Sequence, residues 1–118
     1  MGQLIDNIFI LGKGEGDSMS SHIYKLTLSK TYYNNGFFNL GVDVDNHVRA
    51  DNGPIKLLLG ESKEELIGSV NRNANLNGTP RVFGGARLRN WFQLNFKVMD
   101  KVEVVAITPV ELWLRKPY

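Results

Sequence analysis

Several classes of protein are excluded by what this 118-residue sequence lacks. It contains no cysteine, which excludes a disulfide scaffold, a zinc knuckle and a thiol nucleophile. It contains two histidines, His22 and His47, and each stands alone in the sequence, which leaves little material for a metal site or a histidine-based triad. We therefore predict no metal ion, no cofactor and no catalytic residue in this chain.

Long apolar runs are also missing. No apolar run approaches the roughly 18 residues that suggest a membrane-spanning helix, so we expect no membrane partner. The apolar stretch in Met1–Leu11 is interrupted by Asp6 and has no basic segment before it, unlike a signal peptide. Gly12–Ser18 has the composition of a flexible linker. We expect residues 1–20 to be a lead-in or linker and residues 21–118 to form a single domain.

Negative charge is absent from a long internal stretch. The chain has 14 Lys and Arg against 12 Asp and Glu, a net charge of only +2, yet no acidic residue lies between Leu66 and Met99. The cations of this stretch create a local positive field that the net charge conceals. They are Arg72, Arg81, Arg87, Arg89 and Lys97.

The apolar pattern predicts a small β-domain. Apolar and polar residues alternate over His22–Leu28, which indicates a strand. Similar short runs, bounded by turn residues, predict strands over Phe37–Val42, Ile55–Leu59, Glu65–Val70, Arg81–Phe83, Val102–Ile107 and Val110–Leu114. Six or seven short strands separated by turns indicate a mainly β fold, a seven-stranded open β-barrel or pseudobarrel with one or two short helices.

Three other segments complete the predicted fold. Apolar spacing predicts a helix over Gly84–Asn95, whereas Val42–Ala50 fits either a short helix or a strand. Ser29–Gly36 is polar and ends in Asn-Gly, which predicts a connecting loop. The predicted core consists of Leu26, Leu28, Phe38, Leu40, Leu57, Leu59, Val70, Phe83, Leu88, Trp91, Phe92, Val102, Val104 and Leu112.

The segment Asn71–Arg81 is the strongest candidate for a functional site. Asparagine stands at every second position from Asn71 to Asn77, and Asn77-Gly78 indicates a hairpin tip. Arginine matches the O6/N7 edge of guanine, asparagine pairs with adenine N6/N7, and a two-stranded ribbon fits the DNA major groove. The candidate base-reading residues are Arg72, Asn73, Asn75, Asn77 and Arg81. The alternative is a solvated hairpin whose asparagines only adopt turn conformations.

The segment Ser29–Asn35 is a second candidate. It combines one cation, two tyrosines and several hydrogen-bond donors, a set that suits phosphates and base edges. The candidate residues are Lys30, Thr31, Tyr32, Asn34 and Asn35. The tyrosines could instead stack on single-stranded bases, or simply pack on the core of an ordinary loop.

A catalytic alternative rests on Asp51 and on Glu61-Ser62-Lys63. Two carboxylates followed by a lysine imitate metal-dependent nucleases, in which the carboxylates hold Mg²⁺ and the lysine orients water. The same residues also fit a charged turn over Glu61–Glu65. A small Mg²⁺-dependent nuclease thus remains one alternative function, and a β-barrel interaction domain that binds no nucleic acid remains another.

Two motifs resemble the B3 pseudobarrel DNA-binding family. Tyr24-Lys25-Leu26-Thr27-Leu28-Ser29, a polar segment and Phe38-Asn39-Leu40 resemble the family's opening, which reads Lys-x-Leu-Thr-x-Ser in plant transcription factors. Leu88–Val102 is similar to the family pattern Trp-x-x-Phe-x-x-x-Asn-x-Leu-x-x-Gly-Asp-x-Val. The resemblance covers roughly Ser21 to Leu114.

The sequence departs from the plant members of that family. Trp91 and Phe92 are adjacent, Met99 stands in place of the glycine, and the plant Ile-Pro-Lys strand is absent. Bacterial members, which are the target-recognition domains of certain restriction endonucleases, diverge in similar ways. The long polar segments are closer to this bacterial branch.

The resemblance implies a double-stranded DNA partner, held in the major groove by two arms between strands one and two and between strands four and five. On this sequence the first arm is Ser29–Asn35 and the second arm is Asn71–Arg81. It implies a non-catalytic target-recognition domain of a type II restriction endonuclease, whose nuclease domain lies elsewhere in the parent protein, in the bacterial cytoplasm. We expect phosphate contacts from Lys30, Arg87, Arg89 and Lys97.

Overall fold

The computed structural model describes residues 22–117, apart from the side chain of Asp43, so the predicted lead-in over residues 1–20 lies outside the described residues. Seven strands, two α-helices and one 3₁₀ helix follow each other along this part of the chain. In order they are β1 (His22–Thr27), α1 (Lys30–Asn35), β2 (Phe37–Asn39), the 3₁₀ helix (Val42–His47), β3 (Gly53–Leu59), β4 (Glu64–Asn71), β5 (Arg81–Phe83), α2 (Gly85–Asn95), β6 (Lys101–Thr108) and β7 (Glu111–Arg115).

The strands form one mixed sheet in the order β1-β6-β7-β3-β4-β5-β2. Neighbouring strands are antiparallel except β3 and β7, which are parallel. The sheet curves into a half-barrel, and β1 and β2 form its two free ends. The predicted mainly β, seven-stranded open barrel with short helices is therefore confirmed.

The core fixes the register of the strands. Alternate side chains point into the half-barrel, as the period of a strand requires, and α2 adds Leu88 and Phe92 from its apolar side. Complete burial of each Leu or Phe side chain contributes roughly 1.5–3 kcal/mol. The innermost side chains include Phe38 on β2, Leu57 on β3, Val82 on β5 and Leu112 on β7.

Two residues of the predicted core lie elsewhere. Phe83 is 36% exposed because Val82 takes the single inward position of the short strand β5. Trp91 is half-buried at the edge of the core, with its ring centroid 5.2 Å from that of Phe96. The other predicted core residues are buried.

The predicted loop over Ser29–Gly36 is instead a helix with a cap at each end. The Ser29 Oγ accepts a hydrogen bond from the Tyr32 backbone N–H at 3.2 Å, the usual role of serine before a first turn. Gly36 ends α1 at φ +70°, a left-handed conformation that favours glycine. Its carbonyl accepts the N–H groups of Gly84 and Gly85 at 2.9 and 3.1 Å, which attaches the end of the first arm to the start of α2.

Candidate functional site

A polar groove follows the opening of the half-barrel between β1 and β2. It consists of two adjoining depressions of about 510 and 500 Å³, and Tyr24, Tyr32 and Asn39 line both. Among the described residues, no acidic side chain lines either depression, whereas Lys25 and Arg81 line the first. We call these two depressions the inter-arm groove.

The two arms contribute side chains to this one groove although they are far apart in the sequence. The first arm lies between β1 and β2, and the second between β4 and β5. From the first arm, Thr31 and Tyr32 line the groove, and from the second arm Asn75, Asn77 and Arg81 do so. The other predicted site residues lie outside the groove lining.

Arg81 is held on three sides within the groove. Its Nε donates to Asn39 Oδ1 at 2.9 Å and its Nη2 to Asn75 Oδ1 at 3.3 Å. Its Cζ lies 4.8 Å from the ring centroid of Phe37, a cation–π contact. The Nη1 group makes no hydrogen bond with residues 22–117 and lies at the free end of the guanidinium.

Strand register explains how this cluster forms. Asn39 on β2 and Asn71 on β4 are the partners of Arg81 on either side of β5. Because Val82 and Phe38 point into the core, the side chains one position away point to the opposite face of the sheet. The sequence does not mark Asn39 as a site residue, because its importance depends on the pairing of β2 and β5, two strands that are not consecutive.

Asparagine side chains hold the second arm in shape. Asn71 Oδ1 accepts the Asn73 backbone N–H at 2.7 Å. Asn77 Oδ1 accepts both the N–H and the hydroxyl of Thr79, at 3.2 and 2.7 Å. Asn75 Nδ2 donates to the Thr79 carbonyl at 3.0 Å. These contacts are turns that asparagine favours, and they give the arm a defined shape without a ligand.

Asn73 differs from the other asparagines of the second arm. Its side chain is exposed and makes no hydrogen bond within the part of the chain that the structure describes. Of the predicted base-reading asparagines, it therefore has the carboxamide most available to a partner.

Arg72, in contrast, directs its guanidinium into the protein. It pairs with the Asp45 carboxylate and donates to the carbonyl oxygens of Asp45, Val48 and Arg49 at 2.8–2.9 Å. Only 15% of its side chain is exposed. Base reading by Arg72 would require these bonds to break, so its position favours a role in fixing the second arm.

The predicted phosphate contacts fall into two groups. Arg87 is paired with Glu64, with 3.2 Å between Nη2 and Oε2, and Arg89 donates to Asn90 Oδ1 at 3.3–3.4 Å. Lys30 and Lys97 form no ion pair with any described residue, and both are exposed. Of the four cations, these two lysines are therefore the more available for contact with phosphate.

The remaining polar residues of α1 lie on its surface. Asn34 is exposed and makes no hydrogen bond with the described residues. Asn35 donates from Nδ2 to the Thr31 carbonyl at 2.8 Å. Tyr32 packs edge-on against Phe37, with 5.6 Å between ring centroids, so the tyrosine is both part of the packing and part of the groove.

The two histidines are stacked, although the sequence suggested that each stands alone. The His22 and His47 rings lie 4.4 Å apart and nearly parallel, at 9°. Lone pairs in two parallel planes do not converge on one ion. Within residues 22–117, no group of three or more His, Cys, Asp or Glu could hold a metal ion.

The nuclease pattern is not assembled. Asp51 precedes β3 and Glu61 follows it. The seven residues of this strand span roughly 23 Å, so the two carboxylates lie at opposite ends of β3. Arg49 donates to Asp51 at 3.0 Å and lowers the pKa of that carboxyl. The Lys63 ammonium lies 4.4 Å from the centroid of the Trp113 ring. In this position it does not contact both the Asp51 and the Glu61 carboxylate.

Comparisons with known proteins identify no relative: no family model, no curated protein and no solved structure matches the chain significantly. Among the described residues, no helix is both long and apolar enough to cross a membrane. Function is therefore inferred from the inter-arm groove and its residues.

Proposed function

We propose that this chain is a sequence-specific double-stranded DNA-binding domain whose two arms enter the major groove. The observation that carries the proposal is the inter-arm groove, where both arms meet around Arg81 and no described acidic side chain intrudes. Such a surface favours the binding of a polyanion. An arginine held in one orientation is the side chain best suited to contact guanine.

The roles of the second-arm residues follow from their hydrogen bonds. Within residues 22–117, no hydrogen bond is made by Arg81 Nη1, by the Asn73 carboxamide or by Asn77 Nδ2. These three residues are the proposed base readers. Asn75 and Arg72 have most of their polar atoms engaged within the protein, so they position the arm.

The first arm acts from the other side of the groove. Thr31 and Tyr32 line it directly, and Asn34 and Asn35 extend along the exposed surface of α1. Lys30 contacts phosphate at the start of this helix. Phosphate contacts of this kind fix the register of a protein on the duplex without reading its sequence.

Two cations near the first arm extend the phosphate-binding surface. Lys97 lies in the turn after α2, where the Met99 N–H donates to the Leu28 carbonyl at 2.7 Å. This bond brings the turn beside the start of the first arm. Arg89 lies on α2, its backbone nitrogen 2.9 Å from the position that a Cβ would occupy on Gly36.

We further propose that the domain is the target-recognition part of a bacterial type II restriction endonuclease, with the nuclease domain elsewhere in the parent protein. This proposal is supported by the open barrel and by arms at the positions that the B3 resemblance implies. It assigns no catalytic residue and no cofactor to this chain.

A binding titration separates the proposal from its alternatives. Fluorescence anisotropy with pools of mixed-sequence duplex and of single-stranded DNA, at about 50 and 150 mM salt, should show a clear preference for the duplex. A preference for single strands would instead indicate stacking on the tyrosines, and no binding at either salt would favour a protein-interaction domain. Cleavage of plasmid in Mg²⁺ would support the nuclease alternative.

A further inference from the structure

The carboxamide of Asn39 joins the guanidinium of Arg81 to the second arm. Its Oδ1 accepts from Arg81 Nε at 2.9 Å and from Asn75 Nδ2 at 3.1 Å. Asn75 Oδ1 in turn accepts from Arg81 Nη2 at 3.3 Å. The three side chains thus form a closed triangle of hydrogen bonds, in which Asn39 lies on β2 and the other two belong to the second arm.

This triangle restricts the ways in which Arg81 could contact a base. A guanidinium can pair with guanine O6 and N7 through its Nε and one Nη nitrogen, or end-on through both Nη nitrogens. Asn39 occupies Nε, so the side-on edge is closed. The end-on edge stays open, since Nη1 makes no bond with residues 22–117 and each Nη carries two hydrogens.

We propose that Asn39 is a specificity-determining positioning residue that makes Arg81 read one guanine end-on. This inference rests on the proposed DNA-binding function and adds a residue and a contact geometry to it. Phe37, beneath the guanidinium, keeps the guanidinium plane from tilting. Ordering the long side chain before binding removes an entropic cost that a free arginine would meet on contact with the base.

The test compares variants that remove or keep the Asn39 acceptor. Asn39→Leu has a similar size but no oxygen, whereas Asn39→Asp keeps an acceptor for Arg81 Nε. Each variant, with the wild type, is taken through selection from a randomised duplex library. We expect Asn39→Leu to lose guanine preference at one base pair by about tenfold, with a much smaller change in its affinity for non-specific duplex at low salt.

Asn39→Asp should keep the same guanine preference, because its carboxylate still holds Nε, while its negative charge weakens binding to every duplex. Asn46→Leu is the matched control, since Asn46 is exposed on the 3₁₀ helix and makes no side-chain hydrogen bond with the described residues. It should leave the selected motif unchanged.

A further variant keeps the test decisive if Asn39→Leu fails to fold, as judged by circular dichroism. Arg81→Lys retains the charge but has no planar guanidinium for Asn39 and Asn75 to hold in one orientation, so it should lose guanine preference at the same base pair. Retention of that preference by Arg81→Lys or by a folded Asn39→Leu would overturn the inference and leave the proposed function standing. If the wild type itself selects no motif, the proposed function fails, and the inference fails with it.

Discussion

Arg72 and Asp45 form an ion pair that fastens the second arm to the 3₁₀ helix. The same guanidinium donates to the carbonyl oxygens of Val48 and Arg49. The Arg72 backbone N–H donates to Asn52 Oδ1 at 2.7 Å. The base of the arm is therefore anchored at several points, and the arm does not depend on a ligand for its shape.

Arg72→Ala should destabilise the domain by about 2–3 kcal/mol, because partly buried carbonyl oxygens lose their donors. The ion pair itself adds little to this figure, since the Asp45 side chain is 38% exposed and solvent screens it. Urea unfolding measures the change. Arg87→Ala is the control, and its exposed pair with Glu64 should cost less than about 0.5 kcal/mol. Unchanged stability in Arg72→Ala, together with lost sequence preference, would instead make Arg72 a base reader.

Two glycines with similar backbone angles should respond very differently to alanine. Gly36 and Gly78 have φ of +70° and +76°, so alanine strains both backbones by about 1–2 kcal/mol. A Cβ on Gly36 would also lie 2.1 Å from the Gly85 carbonyl oxygen, whereas a Cβ on Gly78 meets nothing within 4 Å. Gly36→Ala should therefore cost about 3 kcal/mol or more. Equal unfolding free energies for the two variants would contradict the α1–α2 contact.

Lys97→Ala should weaken binding to all duplexes alike, because a phosphate contact carries no sequence information. The slope of log affinity against log salt should fall by about one, as measured by anisotropy at several salt concentrations. Arg87→Ala, whose charge already faces Glu64, should change the slope less. A larger effect of Arg87 than of Lys97 would place the phosphate-binding surface on the other side of α2.

The carboxyl of Asp51 should titrate below its usual pKa of 3.8, chiefly because Arg49 donates a hydrogen bond to it. Since the folded-state pKa is lowered, the stabilising contribution is complete above pH 3.8 and is lost as pH falls through the folded-state value. NMR titration of the carboxyl should show the lowered pKa in the wild type and a return toward 3.8 in Arg49→Gln. An unchanged pKa in the variant would exclude Arg49 as the cause.

Much of the fold could be predicted from the sequence, because strands such as β1 and β7 alternate along their length and the α2 segment repeats its apolar residues with helical spacing. Helix α1 could not, since six residues give too short a pattern and none of them is fully buried. Its two signals were Ser29 and Gly36, which cap the two ends of α1. Phe83 was misassigned because a three-residue strand gives no pattern with which to decide the inward position.

The site was predictable only in part. The composition of both arms indicates that they belong to the site, but composition does not distinguish among the asparagines and arginines of the second arm. Hydrogen bonding separates them: Arg72 and Asn75 are engaged within the protein, while Asn73 remains available. Asn39 and the stacking of His22 on His47 depend on contacts between segments distant in sequence, which no local pattern encodes.

Selection from a randomised double-stranded DNA library at about 150 mM salt, where purely electrostatic binding is weak, tests the central claim most directly. We predict enrichment of one short motif that contains a guanine, with the preference at that guanine lost in Arg81→Ala. Failure to enrich any motif, with binding that disappears as salt rises, would contradict sequence-specific recognition and reduce the groove to a non-specific basic surface.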